Sequence, residues 1–158
     1  MGQILLVLGA FTLLIFLTMT VNQAINSRMD DTYQAEAVIA ATTLAQSMLN
    51  EITQKAFDDS TRMKAVDSVQ QLTPVYALGR EPGETYSSFN DVDDFNGYVR
   101  TDTIINGIFT STASVVYVSP SSLDATSAVR TFYKKIFVGV SSRELKSIPI
   151  VLTRIVSY

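Results

Sequence analysis

At 158 residues, with a net charge of -3 and 17% charged side chains, the chain is long enough for one modest domain, and its weakly acidic balance without a basic run argues against nucleic acid as a partner. It has no Cys and no His, which removes disulfides, thiol nucleophiles, thiolate metal sites and the commonest general base. With no Ser-x-x-Lys motif either, no activated nucleophile is apparent, and the chain is not expected to be an enzyme.

The first element is an uncharged apolar run from Gln3 to Val21. Roughly 20 residues at about 1.5 Å each suffice to cross the ~30 Å hydrocarbon layer, so residues 1–21 are expected to be a membrane-spanning helix. A cleavable secretory signal would need a basic start, a shorter apolar core and a small-residue cleavage site, none of which is present. A buried core helix fits poorly, because the remaining chain is too small and polar to surround an all-round apolar rod. Gly9-Ala10 offers a point of close approach between helices.

Neither Gly nor Pro occurs between Gly9 and Pro74, so nothing forces the helix to stop at the membrane surface. Ala35, Val38, Ala41 or Thr42, Ala45, Met48 or Leu49, Ile52 and Ala56 recur at three- and four-residue steps, predicting an amphipathic continuation over residues 22–57. Phe57-Asp58-Asp59-Ser60-Thr61 supplies capping residues for its end. Asp30, Asp31 and Glu36, just past the apolar run, are expected to pair with Arg28 or face water.

Residues 58–97 carry Pro74, Gly79 and Pro82-Gly83 and read as a connecting loop, with a short helical turn around Met63–Leu72. Residues 98–158 change to a period of two. The segments 98–104, 108–118, 133–140 and 148–155 are rich in branched and aromatic residues, separated by turn-like stretches, and predict a four-stranded antiparallel sheet. Pro149 cannot donate to a ladder, so it marks the last strand as an edge or its first residues as unpaired. Lys134-Lys135 reads as an exposed strand start. The tyrosines at 76, 86, 98, 117, 133 and 158 are too scattered to mark an adhesive surface. The expected fold is therefore α+β: a long N-terminal helix whose apolar stripe covers one face of a C-terminal antiparallel sheet.

This architecture resembles type IV pilins and pseudopilins. Gly2-Gln3 ahead of the apolar run is similar to the site where prepilin peptidase cuts. Phe89-Asn-Asp-Val-Asp-Asp-Phe-Asn-Gly-Tyr98 resembles the Asp-rich segment between helix and sheet in minor pilins and minor pseudopilins. The resemblance implies processing at Gly2 and Gln3. It implies an inner-membrane single-pass stage with the C-terminal domain outside the cytoplasm, followed by assembly into an extracellular or periplasmic filament for adhesion, motility or protein secretion. Assembly with other pilin-like subunits would run through Ile4, Leu5, Leu6, Val7, Leu8, Phe11, Leu14 and Ile15. Pilins usually carry a Glu at the fifth mature position, which here is Val7 counted from Gln3 and Leu5 counted from Met1. Its absence counts against a bulk filament subunit, since some minor members placed at the tip also lack it. The leader would be Met1-Gly2 alone, without basic residues, so either the natural start lies upstream or processing differs. The alternatives are a single-pass anchored extracytoplasmic binding domain that never assembles and, within the family, a major filament subunit.

The Asp-rich segment has two readings of its own. Asp91, Asp93, Asp94 and Asn96 are hard oxygen ligands of the kind Ca²⁺ prefers, and are the candidate metal set. The spacing departs from an EF-hand loop, with Phe95 at its fifth position and Gly97 at its seventh. The other reading is a turn whose Asp and Asn side chains cap backbone amides while Phe89, Phe95 and Tyr98 pack into the domain. No other cofactor is expected.

Overall fold

The computed structural model describes residues 2–146 and 149–158. Two compact units are present, one ending at Glu36 and the other running Ala37–Tyr158.

Helix α1 runs Gly2–Thr53. From Gln3 to Val21 it is apolar on all sides, and none of its most apolar stretch is buried within the chain. It is long and apolar enough to cross a membrane. Its hydroxyls are compatible with lipid because each bonds back to its own helix: Thr12 donates to the Gly9 carbonyl at 2.9 Å, Thr18 to Leu14 at 2.7 Å and Thr20 to Phe16 at 2.8 Å.

In the second unit, the stretch of α1 from Ala37 to Thr53 lies on an antiparallel sheet. The buried face is Ala37, Ala41, Ala45, Met48, Leu49 and Ile52. Ala35 and Val38, expected in the stripe, are exposed. Ala37, Ala41 and Ala45 at four-residue steps, followed by Met48, Leu49 and Ile52, set the face, and they share one core with Phe109, Ala113, Val115, Ile136, Val138 and Val140 of the sheet. The helix ends four residues before the expected 57. Two tight turns close it, and Ala56 then pairs with the Asp-rich segment, donating to the Asn90 carbonyl at 3.3 Å and accepting from Val92 N–H at 2.9 Å. Tertiary hydrogen bonds there replace the helical ones.

The strands are β1 (Val99–Ile104), β2 (Gly107–Ser119), β3 (Ser122–Thr126), β4 (Tyr133–Ser142) and β5 (Ile150–Ser157). The order is β1-β2-β4-β5, with β3 pairing the end of β2. The sheet thus has five strands where four were expected; all five residues of β3 are exposed and have no alternating pattern. Its pairing is broken by an irregularity between Val118 and Ser119. β5 is an edge strand and begins after Pro149, which takes no part in the ladder. Its expected first residue, Ile148, lies outside the described residues. The loop before the sheet contains only single 3-10 turns, at Asp59–Thr61, Val69–Gln71, Val75–Ala77, Tyr86–Ser88 and Asp93–Phe95.

Alternation decides the core. Phe109, Ala113, Val115 and Tyr117 of β2 and Lys134, Ile136, Val138 and Val140 of β4 point to one face and are buried, most of them completely. The hairpin joining β1 to β2 needs Gly107, whose φ of 130° is a conformation L side chains rarely adopt. A Cβ there would meet the Glu144 carboxyl at 2.7 Å, but that exposed side chain can swing aside, so the backbone decides the outcome. Gly107→Ala is expected to cost about 1–2 kcal/mol, read as a lower melting temperature of the sheet.

Candidate functional site

The apolar helix residues Ile4, Leu5, Leu6, Val7, Leu8, Phe11, Leu14 and Ile15 are all helical and between 57% and 75% exposed. They form no part of the chain's own core. Gly2 and Gln3 open the same helix, both exposed, and a Cβ at Gly2 would meet no other part of the chain within 4 Å. That is an uncharged helical surface about five turns long whose burial must come from outside the chain, from lipid or from other helices.

The second candidate is the Asp-rich segment, and its side chains do not converge. Asp94 accepts from the backbone N–H of Asn90 at 2.7 Å and of Asp91 at 3.1 Å. The Asp91 carboxylate accepts in return from the Asp94 N–H at 3.2 Å. Asn96 bridges two layers, accepting from Val115 N–H at 3.0 Å and donating to the Leu78 carbonyl at 3.0 Å. These are capping roles, which the short side chains of Asp and Asn suit. Phe95 is fully buried, edge-on to Phe89 at 5.0 Å and to Tyr98 at 5.8 Å. Asn96→Ala strands the Val115 N–H and Leu78 carbonyl, and unfolding experiments are expected to show a loss of about 1–3 kcal/mol.

Asp93 turns a different way and meets Lys134. Lys134 is not the exposed strand start that its sequence neighbourhood suggests; its side chain is completely buried. The parity of β4 places it on the same face as Ile136, Val138 and Val140. Its ammonium donates to Asp93 Oδ1 at 2.6 Å, to Asp58 Oδ2 at 3.1 Å and to the Phe57 carbonyl at 2.6 Å, so all three protons have acceptors. The Phe57 ring lies 4.5 Å and the Tyr117 ring 5.3 Å from Nζ.

Asp58 is positioned by the turn it caps. Its Oδ1 accepts from Ser60 N–H at 3.2 Å and Ser60 Oγ at 2.7 Å, and its Oδ2 accepts from Thr73 N–H at 2.9 Å. Burial pushes its pKa up, but the Lys134 charge and these hydrogen bonds outweigh it and hold the carboxyl below the usual range. Asp91, beside this cluster, goes the opposite way: burial first, then the charges of Asp93 and Asp94, push it up to about 8. The Tyr117 hydroxyl donates to the Thr73 carbonyl at 2.8 Å, and burial together with the nearby carboxylates raises its pKa.

The result is a buried clasp. Asp93 and Asp58 come from two parts of the loop, Lys134 from the middle of the sheet, and the clasp ties the loop onto β4 just beyond the end of α1. Carboxylate oxygens do come together elsewhere, in Glu81, Glu84 and Asp94, whose ligand atoms lie within 4.8 Å of one another. There a hydrogen bond to Glu84 pushes Glu81 up to about 7. Asp94 is the one member common to this group and the expected metal set.

These features define an α+β domain with a core of its own, carried on a helix that is apolar enough to span a membrane. Comparison with protein-family models, with curated proteins and with solved structures gives no match.

Proposed function

We propose that this chain is a pilin-like structural subunit, of the minor pilin or minor pseudopilin kind. It sits in the inner membrane as a single-pass protein, with its sheet domain outside the cytoplasm. Prepilin peptidase cuts between Gly2 and Gln3. The helix then leaves lipid and packs against the helices of other pilin-like subunits, through Ile4 to Leu8, Phe11, Leu14 and Ile15, into or at the tip of a filament that serves adhesion, motility or secretion.

The observation that carries this reading is that the uncharged segment and the stretch packed on the sheet belong to one α-helix, Gly2–Thr53, with no break at the end of the apolar run. A simple anchor requires only the apolar span. A subunit that exchanges lipid for neighbouring helices requires a stiff, uncharged rod joined directly to its domain. Val7, where a Glu would answer a neighbour's terminal amine, supports the tip over the filament body, since an unpaired charge in lipid is costly.

Mapping the mature N-terminus tests this. In cells that contain the peptidase, mass spectrometry is expected to find the purified chain beginning at Gln3, and Gly2→Leu is expected to abolish the cut. A wild-type chain that keeps Gly2 and remains wholly in the membrane would favour the anchored binding domain instead.

A further inference from the structure

We propose that Lys134 and Asp93 condense into an intramolecular isopeptide bond, with Asp58 carrying the proton. The three groups are already in place. Nζ lies 2.6 Å from Asp93 Oδ1 and 3.1 Å from Asp58 Oδ2, and none of the three side chains is more than 3% exposed. The Phe57 carbonyl holds the amine from a third direction at 2.6 Å, and the Phe57 and Tyr117 rings flank it. Amine and carboxyl held in contact react as one molecule rather than two, which removes most of the entropic barrier to amide formation. Exclusion of water favours condensation over hydrolysis.

The step balances within the chain. Nζ carries three hydrogens in the ion pair. One passes to Asp93, which gives a neutral carboxyl and an amine with a free electron pair. That pair attacks Cγ of Asp93, forming the C–N bond. Asp58 accepts the second hydrogen from Nζ and delivers it to the departing hydroxyl; the C–O bond breaks and one water leaves. The third hydrogen stays on the amide nitrogen. No oxidant or co-reactant is needed. Asp58 is held for this relay by Ser60 and Thr73.

The bond would link positions 41 residues apart and fasten the loop covalently to β4. A chain without Cys has no disulfide with which to do the same. A covalent clasp also holds under pulling forces that an ion pair does not survive.

The test is mass spectrometry of the full-length protein purified in detergent and digested with trypsin. The expected product is a branched peptide joining residues 81–100 to residues 131–135, lighter than the sum of the two by one water and uncut after Lys134. Asp93→Ala and Asp58→Ala are each expected to give the two peptides separately. A wild-type digest that yields them separately, cut after Lys134, overturns the proposal whether or not the variants fold. Both peptides lie far from the N-terminus, so the result is independent of processing at Gly2 and of the pilin-like reading.

Discussion

Lys134→Ala is expected to be the most damaging single substitution in the domain. It leaves Asp58 and Asp93 buried without the Lys134 nitrogen that holds them, an ammonium before condensation and an amide after it, and opens space between Phe57 and Tyr117. Removing one partner of a buried pair typically costs about 3–5 kcal/mol, because the remaining charge is uncompensated. For a domain of this size that corresponds to a melting temperature lower by roughly 10–20 °C. Near-ultraviolet circular dichroism of the tyrosines follows it, since Tyr117 and Tyr158 both lie in or beside the affected cluster. The neighbouring Lys135 is the control. It pairs with the exposed Asp124 and lies over the Phe137 ring, and Lys135→Ala is expected to lower the melting temperature far less than Lys134→Ala. Equal effects at the two positions would mean that the clasp does not hold the loop to the sheet.

Asp91→Asn is expected to have the opposite effect and to stabilise the protein at neutral pH. The folded-state pKa of Asp91 is about 8, against an ordinary value of 3.8, so between those values the folded chain binds a proton that the unfolded chain does not. Stability from this group is complete below pH 3.8 and is lost as the pH rises toward 8. Asn keeps the acceptor used by the Asp94 N–H and never ionises. The variant should gain on the order of 3 kcal/mol at pH 8, gain little at pH 4, and show a flatter dependence between them. Asp58 has the reverse sign. Its pKa is depressed, so its contribution is present above the ordinary carboxylate value and disappears as acid protonates it. Chemical denaturation at a series of pH values separates the two. A variant less stable than wild type at pH 8 would contradict the assignment.

Much of the fold could be read from the residues. The absence of Gly and Pro from 10 to 73 allowed one long helix, and the change to a period of two announced the sheet. Long-range contacts account for most of what could not be read. The helix stops at Thr53 because Lys55 donates to the Phe89 carbonyl and Ala56 pairs with the Asp-rich segment, which no local pattern announces. β3 escaped because an exposed strand paired only at the end of β2 has no core face to impose alternation. Lys134 was legible in one respect: it alternates with Ile136, Val138 and Val140, and that parity puts it inside. Its charge argued for the surface, and the carboxylates that outweigh the charge lie 41 and 76 positions away. The Asp-rich segment divided similarly. Short-range capping by Asp91, Asp94 and Asn96 follows from residue type. The turn of Asp93 toward Lys134 depends on where the loop crosses the sheet.

In the proposed function α1 has two successive environments, lipid and then neighbouring helices. Immunogold electron microscopy of filaments sheared from producing cells, with an antibody to the sheet domain, tests that directly. The expected result is label confined to filament ends at low copy, with the remaining chain in the inner membrane. Label found only in the membrane fraction would contradict it, and filaments built wholly of this chain would contradict the minor-subunit reading.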